Sequence, residues 1–340
     1  MWRLNRVGQS LLNQYVVEML GSLKKRIEKE LEHDAAVILV PGIGTTSEDL
    51  SILTALLTET PQELFALNND LMQRLIPGYC EADLMDYPKA RRKTKNRSKR
   101  DEDLIARYGN PLIKLLDVFD YKGHLSENKE RAFLLTSMKG VNVCTYCNRQ
   151  YIFTINKPKK KGLEHIVRPE LDHWFCKELY PLLSLSFYNL IPSCHTCNSS
   201  VKGSDVFKLS DHIHPYLQKD PNPDIHFRPT IATDGISTYS VEIDRRIPSR
   251  EDNTIKAFAL DEIYGIHGRL EVTDLMNFNY AYSDGYLKVL FEEILDNFCK
   301  TMTKAEIYRM LFCTELEPER FNERPLSKLK YDVLKYLHVI

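Results

Sequence analysis

Cys144-Thr145-Tyr146-Cys147 and, after 46 intervening residues, Cys194-His195-Thr196-Cys197-Asn198 govern how the rest of this chain is read. Two residues between cysteines let both thiolates of one turn reach a single ion at about 2.3 Å, and a second such turn completes a closed tetrahedral site. A structural Zn²⁺ held by Cys144, Cys147, Cys194 and Cys197 is therefore expected. Packed thiols without metal are the alternative, since free cysteine behaves as a small hydrophobe. The interval exceeds ordinary zinc-ribbon spacing, so the chain between the pairs must fold back on itself. Within or beside that interval stand Asp172-His173, Asn189 and Asn198. Asn198 directly follows Cys197, so whatever fixes the cysteine also fixes where this amide points.

Outward from this segment the texture changes. The 340 residues carry a net charge of −1, which divides unevenly: +1 over 1–140, +4 over 141–203 and −6 over 204–340. Polyanion contact is thus expected to be local rather than spread over the surface. Upstream, apolar residues recur every three or four positions over 9–33, the pattern of an amphipathic helix. Residues 35–40 read as a short strand closed by Pro41-Gly42. A second helix begins near Ser47, and Thr60-Pro61-Gln62-Glu63 forms a capping box that starts a third. Eight Lys or Arg crowd into 89–100, a basic run read as a mobile loop. Helices resume at 102–118 and at 126–139, the latter capped by Ser126 and ended by Gly140.

In the middle segment, Tyr151 to Ile155 and His165 to Leu171 read as a hairpin across a basic turn, followed by a loop and a short helix near Cys194. Downstream, Pro215, Pro221, Pro223 and Pro229 mark irregular connections, and 272–298, 303–312 and 328–337 read as helices. The expected fold is α+β and mainly helical, in three parts: a helical region 1–140, a zinc-stapled module 141–203 and a mostly helical region 204–340. No run approaches the roughly 20 apolar residues of a membrane span, and no apolar segment follows the first residues. A cytoplasmic chain without membrane contact is expected, where paired cysteines mean metal rather than disulfide.

The pattern Cys-x-x-Cys, then Leu171-Asp172-His173, Tyr180-Pro181, Asn189-Leu190-Ile191-Pro192, Cys194-x-x-Cys197-Asn198 and Lys202-Gly203 resembles the HNH (ββα-metal) endonuclease family. More narrowly it is similar to zinc-containing bacterial HNH proteins that include the nuclease subunit of Septu-type antiphage systems. The motif covers 144–203; His214-Pro215-Tyr216 and Arg324-Pro325-Leu326 resemble the flanks more weakly. The resemblance implies His173 as general base, Asp172 and Asn198 as ligands of a catalytic Mg²⁺ or Mn²⁺, and Asn189 as the amide that orients the imidazole. It also implies an ATPase-like partner subunit. One departure stands out: Cys176 occupies the place of a proline common in related sequences, while Lys177 remains.

The chemistry agrees with that reading. Phosphodiester hydrolysis needs a deprotonated water and a cation on the developing phosphorane charge. A histidine near its ordinary pKa suits the first task. Two oxygen ligands with an otherwise open shell suit Mg²⁺. Lys159, Lys160, Lys161, Lys177 and Lys202 are the expected phosphate contacts. DNA is the expected substrate; RNA, such as tRNA, is the alternative, because the attacked phosphate is common to both. A non-catalytic zinc-ribbon adaptor is a further alternative. Residues 41–46 lack the Gly-Lys-Ser/Thr of a phosphate loop, and Asp211, His212 and His214 read as loop residues rather than a second metal site.

Overall fold

The computed structural model describes all residues except 1–2, 34–43, 161, 204, 220–224, 234, 236–238, 282–288 and 290–302. It is mixed and mainly helical, with small antiparallel sheets of two strands each. Helices α1 (Gln9–His33), α2 (Ser47–Thr58), α3 (Pro61–Leu75), α4 (Glu81–Arg92), α5 (Lys99–Val118) and α6 (Lys129–Lys139) come first. The expected strand at 35–40 and the turn at Pro41-Gly42 lie outside the described residues. Thr60 and Glu63 close the expected capping box, with Thr60 N donating to Glu63 Oε2 at 3.1 Å. Gly140 ends α6 at φ +58, a left-handed position that glycine takes without a Cβ clash. Asn128, not Ser126, caps α6, its side chain accepting from Arg131 N.

The basic run is a loop only at its centre, 93–98, and is helical at both ends. Its first residues form the last turn of α4, and α5 begins at Lys99. Fixed acids on the two packed helices explain this: Arg100 reaches Asp83 at 3.2 Å and Asp86 at 2.9 Å, and Lys93 reaches Asp101 at 2.8 Å.

The expected hairpin is displaced. Strands β1 (Ile155–Pro158) and β2 (Leu163–Val167) pair across the basic turn, and Tyr151 makes only an isolated bridge to Val143. A second pair, which the sequence does not announce, carries the residues of interest: β3 (Glu170–His173) with β4 (Leu190–Ser193), placing Asp172 opposite Ile191 and His173 opposite Leu190. A π-helical turn, Thr196–Lys202, closed by Gly203 N donating to Asn198 O at 3.2 Å, follows β4 directly.

Beyond it, β5 (His226–Ile231) pairs with β6 (Tyr239–Asp244), another hairpin not expected from sequence. Helices α7 (Arg250–Ala257), α8 (Leu260–His267) and α9 (Thr273–Ala281) follow, then Lys304–Phe312 and the last helix Ser327–Tyr336. Of the helix expected over 272–298, nearly all that follows α9 lies outside the described residues, as do Pro221 and Pro223.

One buried core joins the three sequence regions, from Leu53 and Leu71 through Trp174 and Phe187 to Leu329 and Val333. The loop between β3 and β4 sits deep inside it. Tyr15 OH donates to Leu185 O at 2.6 Å, Ser186 Oγ to Leu56 O, and Phe175 stacks on Phe65 at 5.8 Å. The C-terminal region braces the first cysteine turn: Tyr264 OH donates to Cys147 O at 2.6 Å and Leu326 N to Asn148 O at 2.6 Å. Among the described residues no helix is long and apolar enough to cross a membrane.

Candidate functional site

Cys144, Cys147, Cys194 and Cys197 converge, all buried, with their sulfurs within 4.8 Å of one another. Cys144 and Cys147 lie on a tight turn in which Asn148 N donates to Cys144 O at 2.9 Å and Asn148 takes a φ of +50. Cys194 follows the last residue of β4 and Cys197 falls in the helical turn after it, so the pairing of β4 with β3 delivers the second pair to the first. Sulfurs around one tetrahedral ion at about 2.3 Å stand about 3.8 Å apart; Cys147 and Cys194 are at 4.0 Å. The backbone amide of Cys194 points at Cys144 Sγ at 3.3 Å, as suits a thiolate acceptor. Burial pushes the Cys144 thiol up, so thiolates here need a cation to offset desolvation. The donor set fits a metal ion such as zinc. His195 is not part of it: the ring is exposed and meets Glu170 Oε1 at 2.7 Å.

Next to the cluster lies a cavity of about 250 Å³ lined by Tyr121, Asp172, His173, Lys177, Asn198 and Lys202, among others. It brings together the predicted base and both predicted oxygen ligands. His173, half-buried, places Nε2 at 2.9 Å from Ser184 O and packs edge-on to Tyr121 at 4.5 Å. A carbonyl oxygen can only accept, so Nε2 carries the proton and Nδ1 keeps a free lone pair. Burial pushes the pKa of His173 down to about 3, with Lys177 and Lys202 adding repulsion against the carbonyl's opposing pull. The ring is neutral at pH 7, and it is a weaker base than the histidine of ordinary pKa expected from the sequence.

Asn189 does not touch that ring. Its Oδ1 accepts from Phe175 N at 2.6 Å, and its Nδ2 donates to Leu183 O at 2.8 Å and Phe175 O at 3.2 Å. It closes the β3–β4 loop upon itself, and the Ser184 carbonyl takes the orienting role expected of Asn189.

Lys202 also differs from its expectation as a phosphate contact. It is 3% exposed, and its ammonium reaches Asp172 Oδ1 at 2.9 Å and His173 O at 2.8 Å. The other Asp172 oxygen accepts from Tyr146 OH at 2.5 Å. A buried lysine with its carboxylate at this distance holds the strand end to the helical turn rather than reaching outward. Lys177 does line the cavity and has no carboxylate partner among the described residues. Lys159 and Lys160 sit exposed around the β1–β2 turn, Lys159 reaching Glu164 at 3.6 Å, and neither lines the cavity; Lys161 lies outside the described residues.

No protein-family model, no curated protein and no solved structure matches this chain. The geometry itself therefore carries the functional reading.

Glu170 is a site residue that sequence reasoning missed. It shares a strand face with Asp172, two positions away. Its Oε2 accepts from Asn198 Nδ2 at 2.8 Å and from Ser199 Oγ at 3.3 Å. With the amide nitrogen committed there, Asn198 Oδ1 is the atom left for another partner. The i, i+2 spacing on one strand was the signal, legible only once 170–173 is known to be extended. Asp211, His212 and His214 form no cluster: His212 stacks on Phe207 at 4.3 Å, and buried His214 accepts from Tyr216 N through Nδ1.

Proposed function

We propose that this chain is a metal-dependent endonuclease of the HNH kind that hydrolyses phosphodiester bonds. The observation that carries the reading is the shared cavity of His173, Asp172 and Asn198 beside the four-cysteine cluster. The β3–β4 pair followed directly by Thr196–Lys202 supports it with a strand, strand, helix order. His173, neutral and with Nδ1 unprotonated, takes a proton from the attacking water. The Ser184 carbonyl holds the ring in that tautomer. Asp172 and Asn198 offer oxygen donors suited to Mg²⁺ or Mn²⁺, with Lys202 sharing the Asp172 carboxylate; the bound ion would stabilise charge on the phosphate. Lys177 is placed to meet a phosphate oxygen. Zinc at the cysteines staples β4 to the first turn. DNA as substrate, a role in antiphage defence and an ATPase-like partner extend the proposal through the family resemblance alone.

A second reading, a zinc-stapled module that binds nucleic acid without cutting it, is favoured by one observation: the Lys202 ammonium already neutralises Asp172. Incubating the protein with plasmid DNA and with tRNA, in Mg²⁺, Mn²⁺ or EDTA, separates the two. Cleavage that needs the divalent ion and is absent in His173→Ala supports the nuclease; binding without cleavage in every condition supports the module.

A further inference from the structure

A second and larger cavity, about 620 Å³, adjoins the first, and Cys176 and Glu178 line both. Its floor is apolar, from Met85 and Pro88 of α4, Leu179 and Val206. Its rim is basic: Lys89, Arg91 and Arg92 come from the last turn of α4 and Lys208 from the segment after Gly203, against two carboxylates, Glu178 and Asp205. Glu178 is engaged within the wall, accepting from the Cys176 thiol at 2.9 Å.

The pairing of cations around α4 and α5 is selective. Arg100, Arg107 and Lys93 all bond to aspartates. Lys89, Arg91 and Lys208 have no carboxylate partner among the described residues, and neither does Lys177 in the adjoining cavity. Three cations without a carboxylate line an apolar hollow, and a fourth lines the adjoining cavity that holds His173, so positive charge borders both cavities and the hollow has room for a flat apolar group. Nucleotides have that chemistry: an apolar face on the base and an anion on the backbone. The volume falls in the roughly 300–1,000 Å³ range of sites that enclose small ligands. That volume is on the scale of one nucleotide rather than of a base-paired duplex.

We propose that this larger cavity receives an unpaired nucleotide next to the phosphate at His173, so that the chain acts on single-stranded or locally unpaired polynucleotide. The inference rests on the nuclease reading for the neighbouring cavity, but it is tested by binding rather than cutting.

The test uses full-length His173→Ala protein, so that no strand is cut, and short labelled single strands of DNA and of RNA beside a duplex of the same sequence. Tighter binding of a single strand than of the duplex is expected, and the DNA and RNA arms tell the sources apart. Adding Arg91→Gln and Lys208→Gln should weaken single-strand binding about tenfold and flatten its salt dependence by about 0.7 for each phosphate no longer neutralised. Val206→Trp, which fills the hollow without altering charge, should weaken it as well. Equal affinity for duplex, or undiminished single-strand binding by variants whose thermal midpoint is unchanged, overturns the inference. Its failure is distinct from that of the nuclease reading. Wild-type protein that cuts duplex while binding no single strand keeps the nuclease and removes the cavity. A single strand bound in the cavity but never cut by wild-type protein does the reverse.

Discussion

Lys202 Nζ lies 2.9 Å from Asp172 Oδ1, with both side chains all but removed from solvent. The pair joins the end of β3 to the end of the helical turn that begins at the cysteines, so the four-cysteine cluster and the carboxylate of the cavity share one strut. Tyr146, between the first two cysteines, secures the other oxygen of the same carboxylate.

Lys202→Met removes the cation from a carboxylate that stays buried. Removing one partner of a buried pair costs about 3–5 kcal/mol, and a fall in stability of that order is expected in chemical denaturation of zinc-loaded protein without added Mg²⁺ or Mn²⁺. If Asp172 also binds a divalent ion, millimolar Mn²⁺ should return part of the loss in Lys202→Met and have less effect on the wild type. A variant as stable as wild type under those conditions would mean that the pair is not a strut.

One zinc per chain is expected by elemental analysis of protein purified without added metal. Cys194→Ser, or stripping with a strong chelator, should unfold β3, β4 and the turn between Cys144 and Cys147, because ligation and folding are coupled at such sites. Hydrogen exchange over 144–203 would show it. Full protection of that segment in metal-free protein would exclude a stapling role.

His173→Ala should retain the fold and lose about 10²–10⁴ in cleavage rate. The pH dependence has a definite sign. Burial holds the folded-state pKa at about 3, below the ordinary value near 6.5. The neutral ring therefore contributes its stability in full above about 6.5 and loses it as pH falls toward 3. Wild type should lose stability on acidification through that window more steeply than His173→Ala, as read from thermal midpoints across pH. Parallel curves would rule out a buried neutral imidazole.

Glu170→Gln leaves the backbone of β3 intact but lets the Asn198 amide turn over, since a glutamine can donate as well as accept. Removing an orienting partner typically costs 10–100-fold in metal affinity. Mn²⁺ binding followed by electron paramagnetic resonance should weaken by about tenfold or more, and Glu170→Asp should recover less than wild-type affinity because the shorter side chain no longer reaches Asn198. Unchanged Mn²⁺ affinity in Glu170→Gln would confine Glu170 to a structural role.

The cysteine spacing and the Asp172-His173 pair were legible from the chain because both are local: two residues between ligands and two adjacent side chains need no knowledge of distant contacts. The same holds for the helices, whose apolar period and caps, such as Thr60 with Glu63, are written within a few residues. The strands were less legible. The run Glu170 to His173 is too short to show alternation, and its partner Leu190 to Ser193 is uniformly buried, so neither carries the period that marks a half-exposed strand.

Taken alone, the order of residues names the groups to which the proposed chemistry is assigned: four thiols in two turns, one imidazole, one adjacent carboxylate and an amide tied to the last cysteine. How those groups are used was settled only by folding. The imidazole is held by the Ser184 carbonyl rather than by Asn189, Lys202 turns inward to Asp172, Glu170 sets the amide of Asn198, and within 89–100 Lys93 and Arg100 enter ion pairs while Lys89, Arg91 and Arg92 line a cavity. Each of these arrangements needs a neighbour that is remote or unforeseen in the linear chain. The charge or hydrogen-bonding capacity of a residue does not say which partner the packed core will bring within reach of it.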